Sequence, residues 1–269
     1  MAGKIPIEIR TSPHLKRPQQ VDDIMRNVVW ALLPVAAFAV YQFGISALAL
    51  ILTTTGVAMA TEALFARLSG RGNTLNDWSV AITGILLALT LPPGFPLWMA
   101  AVAAFVGVSL GKALFGGLGY NVMNPALVGR AFVQAAFPVA ITTWTPAFAP
   151  GRFTEFIPST LALPLMKPPP ADAWIDGLQM DAFTGATPLA LQKFQQVSVS
   201  TTDLFTGMVA GSAGETSALL ILVCGLYLAF RRMLDWRIPV GVMGAAALTA
   251  LPFWLHDPLV FPSPAFVLV

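Results

Sequence analysis

The sequence predicts an all-α membrane protein, a bundle of helices that crosses a lipid bilayer several times. Of its 269 residues, 56% are hydrophobic and only 10% are charged, whereas soluble domains carry about 25% charged residues. Apolar runs near the ~20 residues that span a ~30 Å hydrocarbon core recur along the chain. Because backbone N–H groups in lipid need partners within the protein, we expect these runs to be helices.

The apolar runs predict seven spans and the beginning of an eighth. Pro34 predicts a kink in the first span, and Pro92 and Pro93 end the third, because proline cannot donate the next helical hydrogen bond. The final segment, PSPAFVLV, resembles the start of an eighth span that the sequence does not finish. The predicted spans are 27–43, 45–68, 78–95, 96–115, 125–144, 216–230 (extended backwards into 203–215) and 238–255.

Composition also excludes several classes of protein. A net charge of +2 argues against nucleic acid as a partner. The single cysteine, Cys224, excludes an internal disulfide and a cysteine-held iron–sulfur cluster built by this chain alone. The first 26 residues are polar and lack the apolar region of a signal peptide. His14 and His256 have no neighbours that suggest a metal site, and we expect none.

The distribution of lysine and arginine predicts the orientation. The positive-inside rule places the N-terminus in the cytoplasm and the long interval 145–202 outside, which in a bacterium is the periplasm. The expected outer side holds only Arg152, Lys167 and Lys193. The expected cytoplasmic side holds Lys4, Arg10, Lys16, Arg17, Arg26, Arg67, Arg71, Arg231, Arg232 and Arg237.

The interval 145–202 contains the segment DAFTGATPLA, residues 181–190. The interval shows no strand alternation, and long loops without structure of their own are uncommon unless they are functional. Its simplest interpretation is a linker with a turn. However, Asp181-x-x-Thr184-Gly185-Ala186-Thr187 resembles the flavinylation motif recognised by the periplasmic flavin transferase. The resemblance implies FMN bound to the Thr187 hydroxyl through a phosphodiester.

The motif is not isolated, because most of the chain resembles one family. GRGNTLNDWSVAITGILLALTLPP (70–93), GKALFGGLGYNVMNPALVGRAF (111–132) and DAFTGATPLA resemble the NqrB/RnfD family, membrane subunits of the sodium-pumping NADH:quinone oxidoreductase and of the Rnf complex. The short N-terminus and compact loop are more similar to the Rnf D subunit than to the longer B subunit.

The resemblance implies a urea-transporter-like bundle of two inverted repeats, in which helices are broken near the bilayer midplane. Pro92–Pro93 and Asn124–Pro125 are the expected interruptions. Members of the family continue into further spans, so this chain is expected to be C-terminally incomplete. The predicted organisation is a cytoplasmic N-terminal segment 1–26, a five-helix repeat 27–144, the flavin-bearing loop 145–202 and the start of a second repeat 203–269.

A second candidate cofactor site is the stretch GGLGYNVMNPALVGR, residues 116–130. Asparagine amides donate and accept hydrogen bonds at once, and the resemblance implies a non-covalent riboflavin near Asn121 and Asn124. The structural alternative is a loop whose asparagine caps a helix that begins with proline.

Three charged residues lie within or at the ends of predicted spans: Glu62, Lys112 and Arg130. Ionisable residues in a membrane suggest function, and Glu62 is a candidate contact for a translocated cation. A structural ion pair with Lys112 or Arg130 explains the same residues. Asp77 is expected at the interface or at a helix N-terminus.

Together, these features predict a membrane subunit of an Rnf-type oxidoreductase that relays electrons through FMN, coupled to Na⁺ or H⁺ transport. We expect no catalytic side chain. The implied partners are the lipid bilayer, the flavin transferase, and other membrane and peripheral subunits that carry iron–sulfur clusters and flavins. The alternatives are the B subunit of the sodium-pumping enzyme, a solute channel or transporter, and a structural anchor for redox partners.

Overall fold

The computed structural model describes residues 20–70, 74–166, 168–169, 174, 187–195, 199–207, 209–215, 217–258 and 260–268. Within these ranges the regular elements are helical and there is no strand, which confirms the predicted all-α class. The helices are α1 Val21–Phe43, α2 Ile45–Leu68, α3 Ser79–Leu89, α4 Leu97–Val108, α5 Pro125–Ala136, α6 Pro138–Ile141, α7 Pro188–Ala190, α8 Thr201–Thr206, α9 Ala218–Phe230, α10 Arg237–His256 and α11 Pro264–Leu268. A 3₁₀ turn covers Leu75–Asp77, and π turns cover Ser109–Ala113 and Leu191–Gln195.

Helices α1, α2 and α10 are long and apolar enough to cross a membrane. Helices α3, α9 and α4 with its π turn are shorter apolar helices. The chain is therefore a multi-pass membrane helical protein. We call the end of the bundle where α1 begins the N-terminal face and the end where α1 finishes the opposite face.

Helices α1 and α2 form an antiparallel hairpin around Gly44. Gly44 has φ = 72°, a conformation that glycine adopts readily. The Ile45 N–H donates to the Arg152 carbonyl at 2.9 Å, and a Cβ at Gly44 would lie 1.8 Å from that oxygen. Phe148 N–H similarly donates to the Gln42 carbonyl at 2.9 Å. The start of the long loop is thus tied onto the opposite face of the hairpin.

Small residues let α2, α3, α4 and α5 pack closely. A Cβ added to Gly84 would lie 2.4 Å from the Cα of Thr55, and one added to Gly129 would lie 2.5 Å from the Ala103 carbonyl oxygen. Close backbone approach at glycine is typical of helix pairs in membranes. The core of this bundle includes Leu50, Leu87 and Phe95, which have no exposed surface.

The predicted third span is shorter than expected. Helix α3 ends at Leu89, and the non-helical residues 91–96 that follow are all buried. The expected interruption at Pro92–Pro93 is therefore confirmed. Non-helical backbone at membrane depth requires such burial, because lipid cannot satisfy its polar groups. Asn124–Pro125, in contrast, marks the beginning of α5.

Two further predicted spans are interrupted. The fifth is divided at Phe137 between α5 and α6, because Pro138 has no N–H for a continuous helix. The sixth does not extend backwards as one helix: α8 ends at Thr206, and α9 begins only at Ala218. Between them, the N–H groups of Ala213 and Gly214 donate to the carbonyls of Leu91 and Leu89 at 3.0 and 2.7 Å. The prediction of one continuous sixth helix was wrong because these contacts hold the segment in a non-helical conformation of bends and a turn.

Helix α9 packs along α1. Near the N-terminal face, the Tyr227 hydroxyl donates to Asn27 Oδ1 at 2.8 Å, and Asn27 Nδ2 donates to the Asp23 carbonyl at 2.7 Å. Helix α10 has no buried residue and packs mainly against α11. The predicted kink at Pro34 falls within α1, which remains a single helix through that residue.

Candidate functional site

The proposed flavin acceptor lies at the start of a short helix. Thr187 is half-buried and immediately precedes α7, whose first residue is Pro188. The Thr187 carbonyl accepts a hydrogen bond from Leu191 N–H at 2.9 Å, which connects it to the π turn. The other motif residues, Asp181, Thr184, Gly185 and Ala186, lie outside the described residues. The structure therefore gives the position and local fold of Thr187.

The residues after Thr187 suit an aromatic cofactor with a phosphate. Leu189 and Phe194 expose 65% and 77% of their surface, and the Lys193 ammonium lies 5.2 Å from the Phe194 ring centroid. A cationic side chain favours a phosphate, and apolar or aromatic surface favours an isoalloxazine ring. With a threonine hydroxyl as the point of attachment, this segment fits covalently attached FMN.

The asparagines of the second candidate site have structural roles in the loop before α5. Asn124 Oδ1 accepts from the Ala126 N–H at 3.0 Å and so caps α5. Asn121 Nδ2 donates to the Met123 carbonyl at 3.1 Å. Three loop glycines, Gly116, Gly117 and Gly119, have positive φ. The helix-capping alternative accounts for the Asn124 geometry, and binding of a second flavin there stays a prediction.

Buried charges meet near the N-terminal face. The Lys112 ammonium donates to both carboxylate oxygens of Glu62, at 2.8 and 2.7 Å, and to Ser79 Oγ at 2.6 Å. Ser79 Oγ in turn donates to Asp77 Oδ1 at 2.6 Å. The side chains of Lys112 and Glu62 are only 4% and 9% exposed. A buried ion pair of this kind needs good geometry and additional hydrogen bonds, and both are present.

A cavity of about 260 Å³ opens beside this network. Glu62, Asp77 and Lys112 line it together with the backbone of Gly116 and Gly117. Lys112 reaches it from the π turn Ser109–Ala113, an irregularity that is common at functional sites. Two carboxylates and one ammonium give the cavity an excess of negative charge.

The sequence indicated the ion pair of this network but not its hydrogen bond to Ser79. It named Lys112 and Arg130 as possible partners of Glu62, and the structure pairs Glu62 with Lys112. Arg130 instead donates through Nη1 to the Thr90 carbonyl, just beyond α3. Asp77 lies at the start of α3 as expected and accepts from Ser79 N–H at 2.9 Å. Ser79 was missed, because nothing in its local sequence indicates a contact 33 positions away.

Comparison with known proteins places this sequence in a family. The sequence profile of the NQR2, RnfD, RnfE family matches residues 8–269. The D subunit of the Na⁺-translocating ferredoxin:NAD⁺ oxidoreductase complex of Acetobacterium woodii is 38% identical over 262 residues, 96% of this chain and 73% of the relative. The D subunit of the proton-translocating ferredoxin:NAD⁺ oxidoreductase complex of Clostridium ljungdahlii is 34% identical over 255 residues, 91% of this chain and 69% of the relative.

A third relative shows a comparable similarity. The D subunit of the ion-translocating oxidoreductase complex of Alcanivorax borkumensis is 34% identical over 267 residues, which is 96% of this chain and 74% of the relative. The family profile, matched over residues 8–269, spans all of the described helices. The chain belongs to the NQR2, RnfD, RnfE family.

Proposed function

We propose that this chain is the D-type membrane subunit of an ion-translocating ferredoxin:NAD⁺ oxidoreductase complex of the Rnf type. The observation that carries the proposal is similarity to named D subunits along 96% of the chain. The segment DAFTGAT at 181–187 resembles a flavin-attachment motif, which supports a role in electron transfer. The chain would act as an electron-relaying component of the complex.

Thr187 is the residue proposed to carry FMN. Its hydroxyl would form the phosphodiester, while Asp181, Thr184, Gly185 and Ala186 would form the segment that the flavin transferase recognises. When bound there, FMN would supply a group that can take up electrons in pairs and release them singly. The protein supplies the attachment point, and Pro188 ends the acceptor segment by starting α7. Lys193 and Phe194 would contact the phosphate and the ring.

Asn121 and Asn124 are the residues proposed for a second, non-covalent flavin, riboflavin. Asn124 Oδ1 already accepts the Ala126 N–H, and its Nδ2 would donate to the flavin. Asn121 Nδ2 already donates one hydrogen to Met123, and its Oδ1 would accept from the flavin. This part of the proposal rests on the family resemblance and on the polar edge that the two amides provide.

Glu62 is proposed as a contact for the transported cation. The relatives of this chain are named for different ions, Na⁺ in Acetobacterium woodii and protons in Clostridium ljungdahlii, so either ion fits the proposal. Lys112 holds both carboxylate oxygens of Glu62. A cation would therefore reach Glu62 only after the ammonium moved away, and the negatively charged cavity beside the pair would attract that cation.

The location follows from the same proposal. We place the chain in the bacterial inner membrane, with the N-terminal face towards the cytoplasm and Thr187 on the periplasmic side, where flavin transferase works. The excess of arginine and lysine in the parts of the sequence assigned to the cytoplasmic side supports this orientation. Other subunits of the complex, including those that hold iron–sulfur clusters and flavins, would be the electron-transfer partners.

A solute transporter is the alternative from another functional class, because the implied bundle is shared with one. A transporter has no need of a flavin attachment site. We expect Thr187→Ala to abolish ferredoxin-dependent NAD⁺ reduction by membranes that contain the assembled complex, while the subunit is still produced. NAD⁺ reduction and the fluorescence of the denatured subunit in a gel are measured together.

The matched control is Thr201→Ala, an exposed threonine in the same loop. It should keep both the fluorescent band and the activity. Thr187→Ser retains a hydroxyl and should restore part of each signal. Full activity of the assembled Thr187→Ala complex would overturn the electron-transfer role of Thr187 and leave the transporter and structural-anchor alternatives stronger.

A further inference from the structure

The side chain of Arg130 lies at the middle of the bundle, away from both faces. Its neighbour Gly129 packs against Ala103, near the centre of the continuous stretch formed by α4 and its π turn, Leu97–Ala113. Arg130 Nη1 donates to the carbonyl of Thr90, where α3 has just ended. Eleven residues of α3 rise about 16 Å, roughly half of a hydrocarbon core.

The positive charge of Arg130 is only partly balanced by the described residues. A guanidinium has five N–H donors, and the Thr90 carbonyl is its one hydrogen-bond acceptor among the described groups. No described carboxylate forms an ion pair with it. The C-terminal end of a helix offers the equivalent of about half a negative charge. Arg130 is half-buried, so part of its side chain is accessible at the surface of the bundle.

Other carbonyls at the end of α3 and in the non-helical segment after it accept hydrogen bonds from within the chain. Gly214 N–H donates to the Leu89 carbonyl and Ala213 N–H donates to the Leu91 carbonyl. Ser159 Oγ donates to the Gly94 carbonyl at 2.7 Å. These neutral contacts come from the same chain and satisfy the carbonyls of Leu89, Leu91 and Gly94. Among the described groups at this depth, the guanidinium of Arg130 therefore carries a positive charge that no described carboxylate neutralises.

A second polar side chain lies on the same face of α5. Gln134 is one turn after Arg130, and residues four apart on a helix are neighbours. Gln134 is exposed, and no described group bonds its amide. Phe137 packs edge-on against Trp98, at the far end of α4, with ring centroids 5.3 Å apart. Gln134 therefore lies between mid-depth and the opposite face, where lipid offers it no hydrogen bond.

We propose that Arg130 and Gln134 form a docking site for a transmembrane helix of another subunit, which places an aspartate or glutamate carboxylate against the guanidinium. This proposal rests on the proposed membership of a multi-subunit complex. Charge complementarity selects the occupant: a positive charge at mid-depth is stabilised by a paired carboxylate and its hydrogen bonds. Lipid phosphates lie at the membrane surface, about half a bilayer away from this level.

The site is tested by photo-cross-linking in the intact complex. A photoreactive phenylalanine analogue replaces Gln134, and a second sample carries it at Val242, an exposed position on α10. After irradiation in native membranes, the adducts are identified by mass spectrometry. We expect the Gln134 position to form an adduct with another subunit, within about one helical turn of an acidic residue. Adducts with lipid alone, or with another part of the same chain, would overturn the proposal.

Substitution of Arg130 provides the second measurement. Arg130→Met should lower the amount of that partner subunit recovered with the complex by about tenfold or more, because it leaves the partner's carboxylate unpaired. Arg130→Lys keeps the charge and should retain most of the partner. Reversing both charges, with Arg130→Glu and lysine at the cross-linked acidic position, should restore assembly.

Flavin fluorescence keeps this test separate from the proposed function. The fluorescent band of the subunit reports attachment at Thr187, which does not depend on the α5 face. A fluorescent Arg130→Met subunit that still assembles normally would contradict the docking site alone. Absence of the fluorescent band from the unsubstituted protein would contradict the proposed flavin attachment. It would not change the cross-linking result.

Discussion

Lys112 shows how one side chain organises the N-terminal face of this protein. It approaches from a π turn and donates to Glu62 on α2 and to Ser79 on α3. Three helices therefore meet at one ammonium group, which is nearly inaccessible to solvent. Removing either charge of such a pair leaves the other buried without compensation.

We expect Glu62→Gln to lower the free energy of unfolding by about 3 kcal/mol, because the Lys112 ammonium would lose its charged partner. The measurement is denaturant-induced unfolding in detergent, followed by tryptophan fluorescence. Arg26→Gln is the control, since it breaks the exposed pair with Asp23 and should cost about 0.5 kcal/mol or less.

The double variant Glu62→Gln, Lys112→Met shows how much of the lost stability comes from leaving the Lys112 ammonium without its charged partner. It removes both charges and should recover part of the stability lost in Glu62→Gln. Equal, small losses in Glu62→Gln and Arg26→Gln would show that the buried pair does not stabilise the fold.

Local sequence indicated which charged residues are important but not which partners they contact. Charges inside apolar runs identified Glu62, Lys112 and Arg130 as important, because lipid makes unpaired charge costly. Their partners depend on which helices become neighbours. The sequence left Glu62 with two candidate partners, and only the packing of α2 against the π turn selected Lys112. The bond from Arg130 to Thr90 had no sequence signal beyond the two prolines that end α3.

At the scale of elements, close helix packing depends on a few glycines. Gly107 on α4 and Gly129 on α5 face each other, and a Cβ on Gly129 would lie 2.5 Å from the backbone oxygen of Ala103. A methyl group there must push the two helices apart. This contact also fixes the depth of Arg130, the next residue along α5.

We expect Gly129→Ala to destabilise the protein by about 2 kcal/mol through overpacking of α4 against α5. Gly56→Ala is the matched control, because Gly56 is also helical but its Cβ would have no neighbour within 4 Å. Better helix propensity should make that variant neutral or more stable by up to about 1 kcal/mol. The comparison uses the same denaturation assay, and a Gly129→Ala variant as stable as Gly56→Ala would contradict the described packing.

A helix was predicted accurately where local sequence sets its ends, and inaccurately where long-range contacts set them. Helix α2 occupies the predicted range 45–68, because a continuous apolar run with no proline has only one regular structure in lipid. The third and sixth spans were predicted too long. Their ends are set by bonds between residues 89–91 and 213–214, and such long-range contacts leave no mark in the local pattern of hydrophobicity.

At the scale of the whole molecule, orientation decides which compartment the Thr187 loop faces. The measurement uses cells whose outer membrane has been removed and whose inner membrane is intact. We expect cysteine introduced by Thr201→Cys to react with a membrane-impermeant thiol reagent added to these cells. Cysteine introduced by Ser69→Cys should react only after the inner membrane is opened. Both residues are exposed, and both variants carry Cys224→Ser to remove the native thiol.

The reverse labelling pattern would place the Thr187 loop in the cytoplasm. Flavin attachment by a periplasmic enzyme would then be impossible, and the proposed route of electrons would fail with it. Labelling of both positions before the inner membrane is opened would indicate damaged membranes, which a cytoplasmic marker protein detects.

The functional proposal rests more on sequence than on geometry. The motif and the family resemblance were visible in the chain itself, whereas Asp181–Ala186 lie outside the described residues. The structure adds the half-buried position of Thr187, the helix that follows it and the charged and aromatic residues beside it. Packing alone would not distinguish a redox subunit from a transporter built on a related bundle.

The most direct measurement is the mass of the peptide that contains Thr187, released from the subunit after its production with an active flavin transferase. We expect a mass increase equal to one FMN joined with loss of water, located by fragmentation at Thr187. An unmodified peptide, alongside a control substrate that the same transferase has modified, would show that Thr187 does not carry FMN.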